Sequence, residues 1–257
     1  MAKRPKAMGE APLPGFDRAA KIPLRPPKSM PDPAPAHHLN HRERLRARFL
    51  QGGADALPDY ELLELVLFRA IPRRDVKPLA KALLAEFGDF NAVLAAPAER
   101  LRTVPGIGDS AICEFKVVEA AAHRMARARV IDRPVISSWQ ALLDYCRISM
   151  AHREMEQFRI LFLDRKNVLI ADEIQSRGTV DHVPVYPREV VKRALALNAS
   201  ALILVHNHPS GDPTPSEADI AMTFDIRAAA EALGIAIHDH IIVGKTRELS
   251  FRTHGYL

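Results

Sequence analysis

The chain has 257 residues and a formal net charge of +5, with 47% hydrophobic and 26% charged residues, values typical of a soluble globular protein with room for two domains. No apolar run approaches the roughly 20 residues of a membrane span, and no apolar stretch follows the basic N-terminus as a secretory signal requires. We therefore expect a cytoplasmic protein without a membrane partner. Cys113 and Cys146 lie outside any CxxC pair, so we expect reduced cysteines rather than a disulfide framework or a cysteine zinc site.

Proline and charge divide the chain into three parts. Residues 1–37 hold nine of the 20 prolines and seven Lys and Arg against three Asp and Glu, which predicts a disordered basic tail, with a partner-binding peptide as the alternative. Residues 38–133 hold sixteen basic against thirteen acidic residues, and residues 134–257 hold thirteen against fifteen. The first half of the chain is therefore the better candidate for contact with phosphates.

Residues 38–133 predict a helical domain. Helical periodicity, bounded by glycine or proline, occurs in HRERLRARFLQGG, LPDYELLELVLFRAI and DVKPLAKALLAEFGDF. The stretch PAERLRTVPGIGDSAICEFKVVEAAAHRMARARV predicts a short helix, a tight loop and a long helix. Because IDRPVISS then breaks the helical pattern, we place a domain boundary near residue 133.

Residues 134–257 alternate between strand and helix patterns, which predicts an α/β domain with a mixed sheet. The strands are EQFRILFLD, NVLIADEIQSRG, SALILVHNH and IAIHDHIIVG, and the helices are PREVVKRALALNA and PSEADIAMTFDIRAAAEALG. In the first strand, Phe158, Ile160 and Phe162 share one face.

A candidate metal site lies in HNHPSGDPTPSEAD, residues 206–219. His206 and His208 stand two residues apart at a strand end, so their side chains point the same way. Ser216 is placed to cap the next helix, whose start can bring Asp219 toward the imidazoles. Two neutral nitrogens and a carboxylate oxygen suit Zn²⁺ and leave a fourth position open. The alternative is a pair of ordinary histidines.

Two further residues in these strands receive no role in the site. His238 and His240 form a second HxH pair, but no turn-rich loop and no spaced acid follow it. We do not expect this pair to contribute. Asn207 points away from its histidine neighbours on the strand and is expected to be structural.

The pattern H-x-H-P followed by S-x-x-D resembles the JAMM (MPN+) motif of zinc-dependent isopeptidases and their bacterial relatives. The wording HNHPSGDPTPSEAD resembles more narrowly the RadC family of bacterial proteins. The similarity extends through FRILFLDRKN, SRGT, YPREVVKRALALNASALIL and HDHIIVG, and includes VPGIG in the helical half. Only the tail before about residue 37 lies outside it.

The resemblance implies a role for each residue of the site. His206, His208 and Asp219 would hold zinc, and Ser216 would steady an oxyanion. A glutamate just before the first core strand would serve as general acid and base. Glu156 matches that place, with Glu154 and Glu173 as alternatives.

The segment VPGIG, residues 104–108, resembles the loop of a helix-hairpin-helix. Gly106 and Gly108 leave backbone N–H groups open to a DNA phosphate at the start of a helix, and Arg102 and Lys116 lie nearby. Asp109 opposes such binding. The alternative is a hairpin that only connects two helices or packs against protein.

The sequence thus predicts two functions that are compatible with each other. The first is hydrolysis of an amide bond in an unknown peptide or isopeptide by a zinc-dependent domain. The second is binding of duplex or branched DNA, associated in the RadC family with DNA repair or recombination. An alternative that excludes the first function is a zinc domain that serves only as a non-hydrolytic interaction module.

Overall fold

The computed structural model describes residues 37–177 and 185–257. The predicted tail over residues 1–37 lies outside the described residues except for its last residue. Residues 38–257 form one compact unit. The boundary near residue 133 therefore stays a prediction.

The first part of the described chain is helical, as predicted. Its helices are α1 (His37–Gly52), α2 (Asp59–Ala70), α3 (Lys77–Phe87), α4 (Phe90–Ala95), α5 (Ala98–Arg102) and α6 (Asp109–Ala128). The short helix α4 was not predicted. It begins where the Asp89 carboxylate accepts a hydrogen bond from the Ala92 N–H at 2.8 Å.

The helices pack around an apolar core that includes Leu63, Leu67, Leu83 and Phe115, all fully buried. The buried guanidinium of Arg42 on α1 lies at the C-terminal end of α2. It donates hydrogen bonds to the carbonyl oxygens of Ile71 at 2.6 Å and Arg74 at 2.8 Å. The Ile71 carbonyl belongs to the C-cap of α2, where a helix leaves carbonyl groups without partners.

The second part contains a mixed sheet, as predicted, with five strands, of which the short last strand was not predicted. The strands are β1 (Gln157–Leu163), β2 (Leu169–Arg177), β3 (Ala201–Asn207), β4 (Ala236–Val243) and β5 (Glu248–Ser250). Their order is β2-β1-β3-β4-β5. Strands β3 and β4 run parallel, whereas the other neighbouring pairs run antiparallel.

Helices cover both faces of the sheet. These are α7 (Trp139–Met150), α8 (Pro187–Ala196) and α9 (Glu217–Glu231). Phe158, Ile160 and Phe162 face the core beneath α8 and α9, which confirms the predicted alternation. Helix α7 was not predicted, and it packs on the opposite face. Both faces of β1 and β3 are therefore buried, which explains why these strands read as continuous apolar runs.

Two expectations from composition can be compared with the described part of the chain. Cys113 is exposed and Cys146 is buried, and both are free. None of the helices in residues 37–177 and 185–257 has the length and apolarity to cross a membrane.

Candidate metal centre

The two histidines of the predicted site stand at the end of the central strand β3, between β1 and β4. His206 is fully buried and aligned with Phe158 on β1 and Ile242 on β4. His208 follows the last residue of β3, and its backbone N–H donates to the Val243 carbonyl at 3.0 Å. The strand geometry therefore continues through His208 and aims both imidazoles in the same direction.

The start of α9 brings the carboxylate. Ser216 caps the helix, with its hydroxyl oxygen accepting from the Asp219 N–H at 3.1 Å. In return Asp219 Oδ2 accepts from the Ser216 N–H at 2.8 Å and from the Ser216 hydroxyl at 2.6 Å. This reciprocal capping box confirms the predicted cap and fixes the direction of the Asp219 side chain.

Three potential ligand atoms converge in the resulting site. His206 Nε2 lies 3.0 Å from His208 Nε2 and 3.2 Å from Asp219 Oδ1. His208 Nε2 lies 3.5 Å from Asp219 Oδ2. All the ligand atoms fall within 4.8 Å of one another, and no other group of three such side chains is found in residues 37–177 and 185–257.

The contact made by His208 Nδ1 determines that the unprotonated nitrogen of this imidazole is Nε2, which faces the site. His208 Nδ1 lies 2.8 Å from the Asp212 carbonyl oxygen, which can only accept a hydrogen bond. A neutral His208 therefore carries its proton on Nδ1 and turns the Nε2 lone pair toward Asp219. That is the form in which an imidazole binds a metal.

The electrostatics of the site suit a cation. Burial opposes the charged form of His208, yet Asp219, the Asp212 carbonyl and the charge of Glu156 hold the pKa of His208 above its ordinary value. Burial also opposes the charged form of Asp219, but the neighbouring imidazoles of His206 and His208 and the hydrogen bond from Ser216 keep the pKa of its carboxyl well below the usual range. Two imidazole nitrogens and an ionised carboxylate are a donor set that fits zinc.

The predicted general base lies close to this centre. Glu156 is half-buried, one residue before β1, and lines a cavity of about 480 Å³ that Glu154 also lines and that the three candidate ligands do not. Its carboxylate is near enough to His208 to raise the pKa of that imidazole. Of the two alternatives, Glu154 pairs with Arg100, and Glu173 forms a two-pronged ion pair with Arg193 at 2.7 and 2.5 Å.

The side chain of Asn207 holds the segment that carries Glu156. Asn207 is fully buried, and its Oδ1 accepts from the Gln157 N–H at 3.0 Å. Its Nδ2 donates to the carbonyl oxygens of Arg153 and Met155 at 3.4 and 3.3 Å. The expectation of a structural role for Asn207 is therefore right, but that role sits beside the candidate base.

The expectation that the second HxH pair stands apart from the site is wrong for His240. Its Nε2 lies 2.7 Å from His206 Nδ1, and its Nδ1 lies 2.6 Å from the Thr223 hydroxyl. His238 instead contacts Asn167. One signal was present in the sequence, since two HxH pairs on neighbouring strands can meet. The sequence did not predict that β3 and β4 pair in parallel.

The loop that follows His208 is packed against the turn between β4 and β5. A side chain at Gly244 would place its Cβ 2.4 Å from the Gly211 carbonyl oxygen and 2.9 Å from that of Arg247. The Arg247 guanidinium also pairs with Asp212 at 3.1 Å. Residue 244 therefore has to be glycine for the two loops to approach this closely.

The predicted DNA-binding hairpin has the expected backbone. Gly106 has a φ of 94°, and Gly108 caps α6 in an extended conformation. Arg74, which the sequence did not single out, lies against the loop and donates to the Gly106 carbonyl at 3.4 Å.

The charged residues near the hairpin are engaged within the protein. The Lys116 ammonium donates to the Leu94 carbonyl at 2.7 Å and to Glu119 at 2.9 Å. Arg102 pairs with Asp109 at 3.1 Å. A DNA contact by Lys116 would require it to leave these partners.

Comparison with known proteins agrees with both parts of the architecture. Residues 136–256 match the family model described as RadC-like JAB domain, and residues 36–113 match the one described as UPF0758 N-terminal. A UPF0758 protein of Ruegeria pomeroyi is 72% identical over 223 residues, which cover 87% of this chain and all of the relative. A UPF0758 protein of Rhodobacter capsulatus is 73% identical over 213 residues, covering 83% of this chain and all of that relative.

Replacing Asn207 by alanine should destabilise the fold. The change leaves the buried N–H of Gln157 without its acceptor, and such a loss costs about 1–3 kcal/mol. Urea unfolding of the full chain measures the effect, with Asn91→Ala as a control at an exposed helix position that should shift stability by less than about 0.5 kcal/mol. Equal unfolding midpoints for both variants would show that the Asn207 contacts contribute nothing.

Proposed function

Because the chain belongs to the UPF0758 family of RadC-like proteins, we propose that it is a zinc-dependent hydrolase that cleaves an amide bond in a peptide or isopeptide. The observation that carries the proposal is the convergence of His206 Nε2, His208 Nε2 and Asp219 Oδ1 at the end of β3. Three protein ligands with one position left open are the arrangement of a catalytic rather than a structural zinc site.

In this proposal His206, His208 and Asp219 hold the metal. When bound there, zinc would act as a Lewis acid that polarises the amide carbonyl and makes water nucleophilic near neutral pH. The reciprocal hydrogen bonds with Ser216 and the Asp212 carbonyl keep the ligand atoms in place before the metal arrives. The site is therefore organised by groups that are themselves held by the start of α9 and by the preceding loop.

Glu156 would carry the proton in both halves of the reaction. As a carboxylate it takes a proton from the attacking water, and as a carboxylic acid it returns that proton to the departing amine nitrogen. Its support is its closeness to His208 and the anchoring of its segment by Asn207. Glu154 and Glu173 stay the alternatives for this role, and each forms an ion pair with an arginine.

Ser216 keeps its predicted place but has a competing task. Its hydroxyl hydrogen points to Asp219 Oδ2 at 2.6 Å, so in this arrangement Ser216 orients a metal ligand. Stabilising an oxyanion would require the hydroxyl to turn away from Asp219. We therefore propose the orienting role for Ser216 and keep oxyanion binding as its prediction from the family resemblance.

The purified full chain should bind about one zinc ion, and His208→Ala should lose most of it, because removing one of three protein ligands disables the site. Elemental analysis after dialysis against a weak chelator gives the metal content. His152→Ala provides a matched control at a histidine outside the triad. Equal zinc in wild type and in the His206→Ala/His208→Ala double variant would refute the assignment.

Glu156→Gln should keep zinc and lose hydrolysis, since the amide preserves size but cannot accept the proton. Loss of a general base costs about 10²–10⁴-fold in rate. Because no substrate is identified, the measurement compares proteome-derived peptides cleaved by wild type with those cleaved by Glu156→Gln, His206→Ala and the control Glu173→Gln. Loss of cleavage in Glu173→Gln with full activity in Glu156→Gln would reverse the assignment of the base.

The second candidate function is DNA binding by the helical half, with the zinc domain as a non-hydrolytic interaction module. The observation that favours DNA contact is Arg74, which adds a guanidinium beside Gly106 where backbone N–H groups of the hairpin lie close to the start of α6. Such a loop binds phosphate without reading base sequence. The internal contacts of Lys116 and the Arg102–Asp109 pair argue against a larger basic surface there.

If the hairpin contacts phosphate, the full chain should bind duplex DNA at low salt and release it as salt rises. Gly108→Glu should weaken this binding by about tenfold, because it places a negative charge where the phosphate would lie. Gly108→Ser is the matched control, since the position has open space and serine is a favoured helix cap. Fluorescence anisotropy with labelled DNA measures both, and indistinguishable affinities would exclude the hairpin as the contact.

A further inference from the structure

A row of three short hydrogen bonds leads from the main chain of α9 to His206. The Thr223 hydroxyl lies 2.5 Å from the Asp219 carbonyl oxygen and 2.6 Å from His240 Nδ1. His240 Nε2 then lies 2.7 Å from His206 Nδ1. Thr223 is 1% exposed, and His206 and His240 are 0% exposed, so solvent offers these groups no alternative partner.

The direction of the row is set at its main-chain end. A carbonyl oxygen has no hydrogen to give, so the 2.5 Å contact requires the Thr223 hydroxyl to donate to Asp219. A hydroxyl has one hydrogen, and Thr223 therefore has only lone pairs left for His240. The 2.6 Å contact between them consequently needs a hydrogen on His240 Nδ1.

The protonation state of His240 determines which nitrogen of His206 carries a hydrogen. The His240 ring lies among aromatic rings, with its centroid 4.5 Å from that of Phe251 and 5.7 Å from that of Phe158. Within the described residues, its ring nitrogens contact Thr223 and His206 alone. A neutral His240 with its hydrogen on Nδ1 accepts at Nε2, so His206 Nδ1 must donate to it.

We propose that Thr223 and His240 are positioning residues that hold His206 in the tautomer protonated at Nδ1, so that its Nε2 lone pair faces His208 and Asp219. The proposal rests on the proposed metal site. In both imidazoles of that site, a hydrogen bond that ends at a main-chain carbonyl then fixes the tautomer. His208 meets the carbonyl of Asp212 directly, and His206 meets the carbonyl of Asp219 through two side chains.

The opposite tautomer of His206 would work against the metal. A hydrogen on Nε2 would point into the space between His208 Nε2, 3.0 Å away, and Asp219 Oδ1, 3.2 Å away. It would occupy the position in which a cation would sit. Because the row excludes this tautomer, His206 need not move its hydrogen from Nε2 to Nδ1 before a metal binds. Residues that hydrogen-bond to a metal ligand in this way change metal affinity by about 10–100-fold.

Zinc affinity of the full chain, measured by competition with a chromophoric chelator, tests the row. Thr223→Val keeps the shape of the side chain but removes the hydroxyl, and it should weaken zinc binding by about 10–100-fold. Thr223→Ser restores the hydroxyl and should stay within about threefold of wild type. His240→Phe should resemble Thr223→Val, whereas His238→Phe, at a histidine two residues away that contacts Asn167, should resemble wild type. Unchanged affinity in Thr223→Val would overturn the proposal.

A second measurement reads the tautomers directly in the wild-type chain and needs no metal. Imidazole ¹⁵N shifts in the metal-free full chain should show both His206 and His240 protonated at Nδ1, with His206→Gln and His240→Gln serving to assign the signals. Protonation of His206 at Nε2 would overturn the proposal. If the wild-type chain binds no zinc, the proposed function fails, while the tautomer of His206 still decides the inference about Thr223 and His240.

Discussion

Three lone pairs that point at one another are the constraint on which the rest of this site depends. The Nε2 atoms of His206 and His208 and the carboxylate of Asp219 lie within about one hydrogen-bond distance of each other. Such an arrangement is repulsive unless a cation or a proton stands between the groups. Other groups of the protein therefore have to hold the three side chains in place on the side away from their ligand atoms. It does so through the Ser216 capping box, the Asp212 carbonyl and the row formed by Thr223 and His240.

The fold supplies the rigidity that this constraint requires. Strand β3 is buried along its full length between β1 and β4, with helices packed on both faces of the sheet. His206 cannot move without disturbing that core. Asn207, the next residue, uses the opposite side of the same strand to hold the segment of Glu156. One strand thus places a candidate metal ligand and anchors the candidate base.

The helical half and the sheet domain differ in how far their residues support a function. In the sheet domain, the three predicted ligands lie together, and His240 and Thr223, which lead to His206, are buried. At the hairpin, Gly106 and Gly108 have the predicted backbone, but Lys116 and Arg102 are paired with acidic residues of the protein. The case for hydrolysis therefore rests on a set of converging atoms, and the case for DNA binding rests on a loop and Arg74.

The sequence by itself determined the mixed α/β architecture, the helical first half and the set of His206, His208 and Asp219. The architecture follows from periodicity. Local spacing made the three residues a candidate set, since strand alternation aligns the histidines and a capping pattern places the aspartate, and the family resemblance implied their role as zinc ligands. Helices α4 and α7 and the short strand β5 were missed. The roles of His240, Thr223 and Asn207 were decided only by tertiary structure. The contacts of His240 with Thr223 and His206, and those of Asn207 with the segment before β1, span 17 to 54 residues of the chain. Which strands pair, and whether in parallel, is a long-range property that no local pattern records.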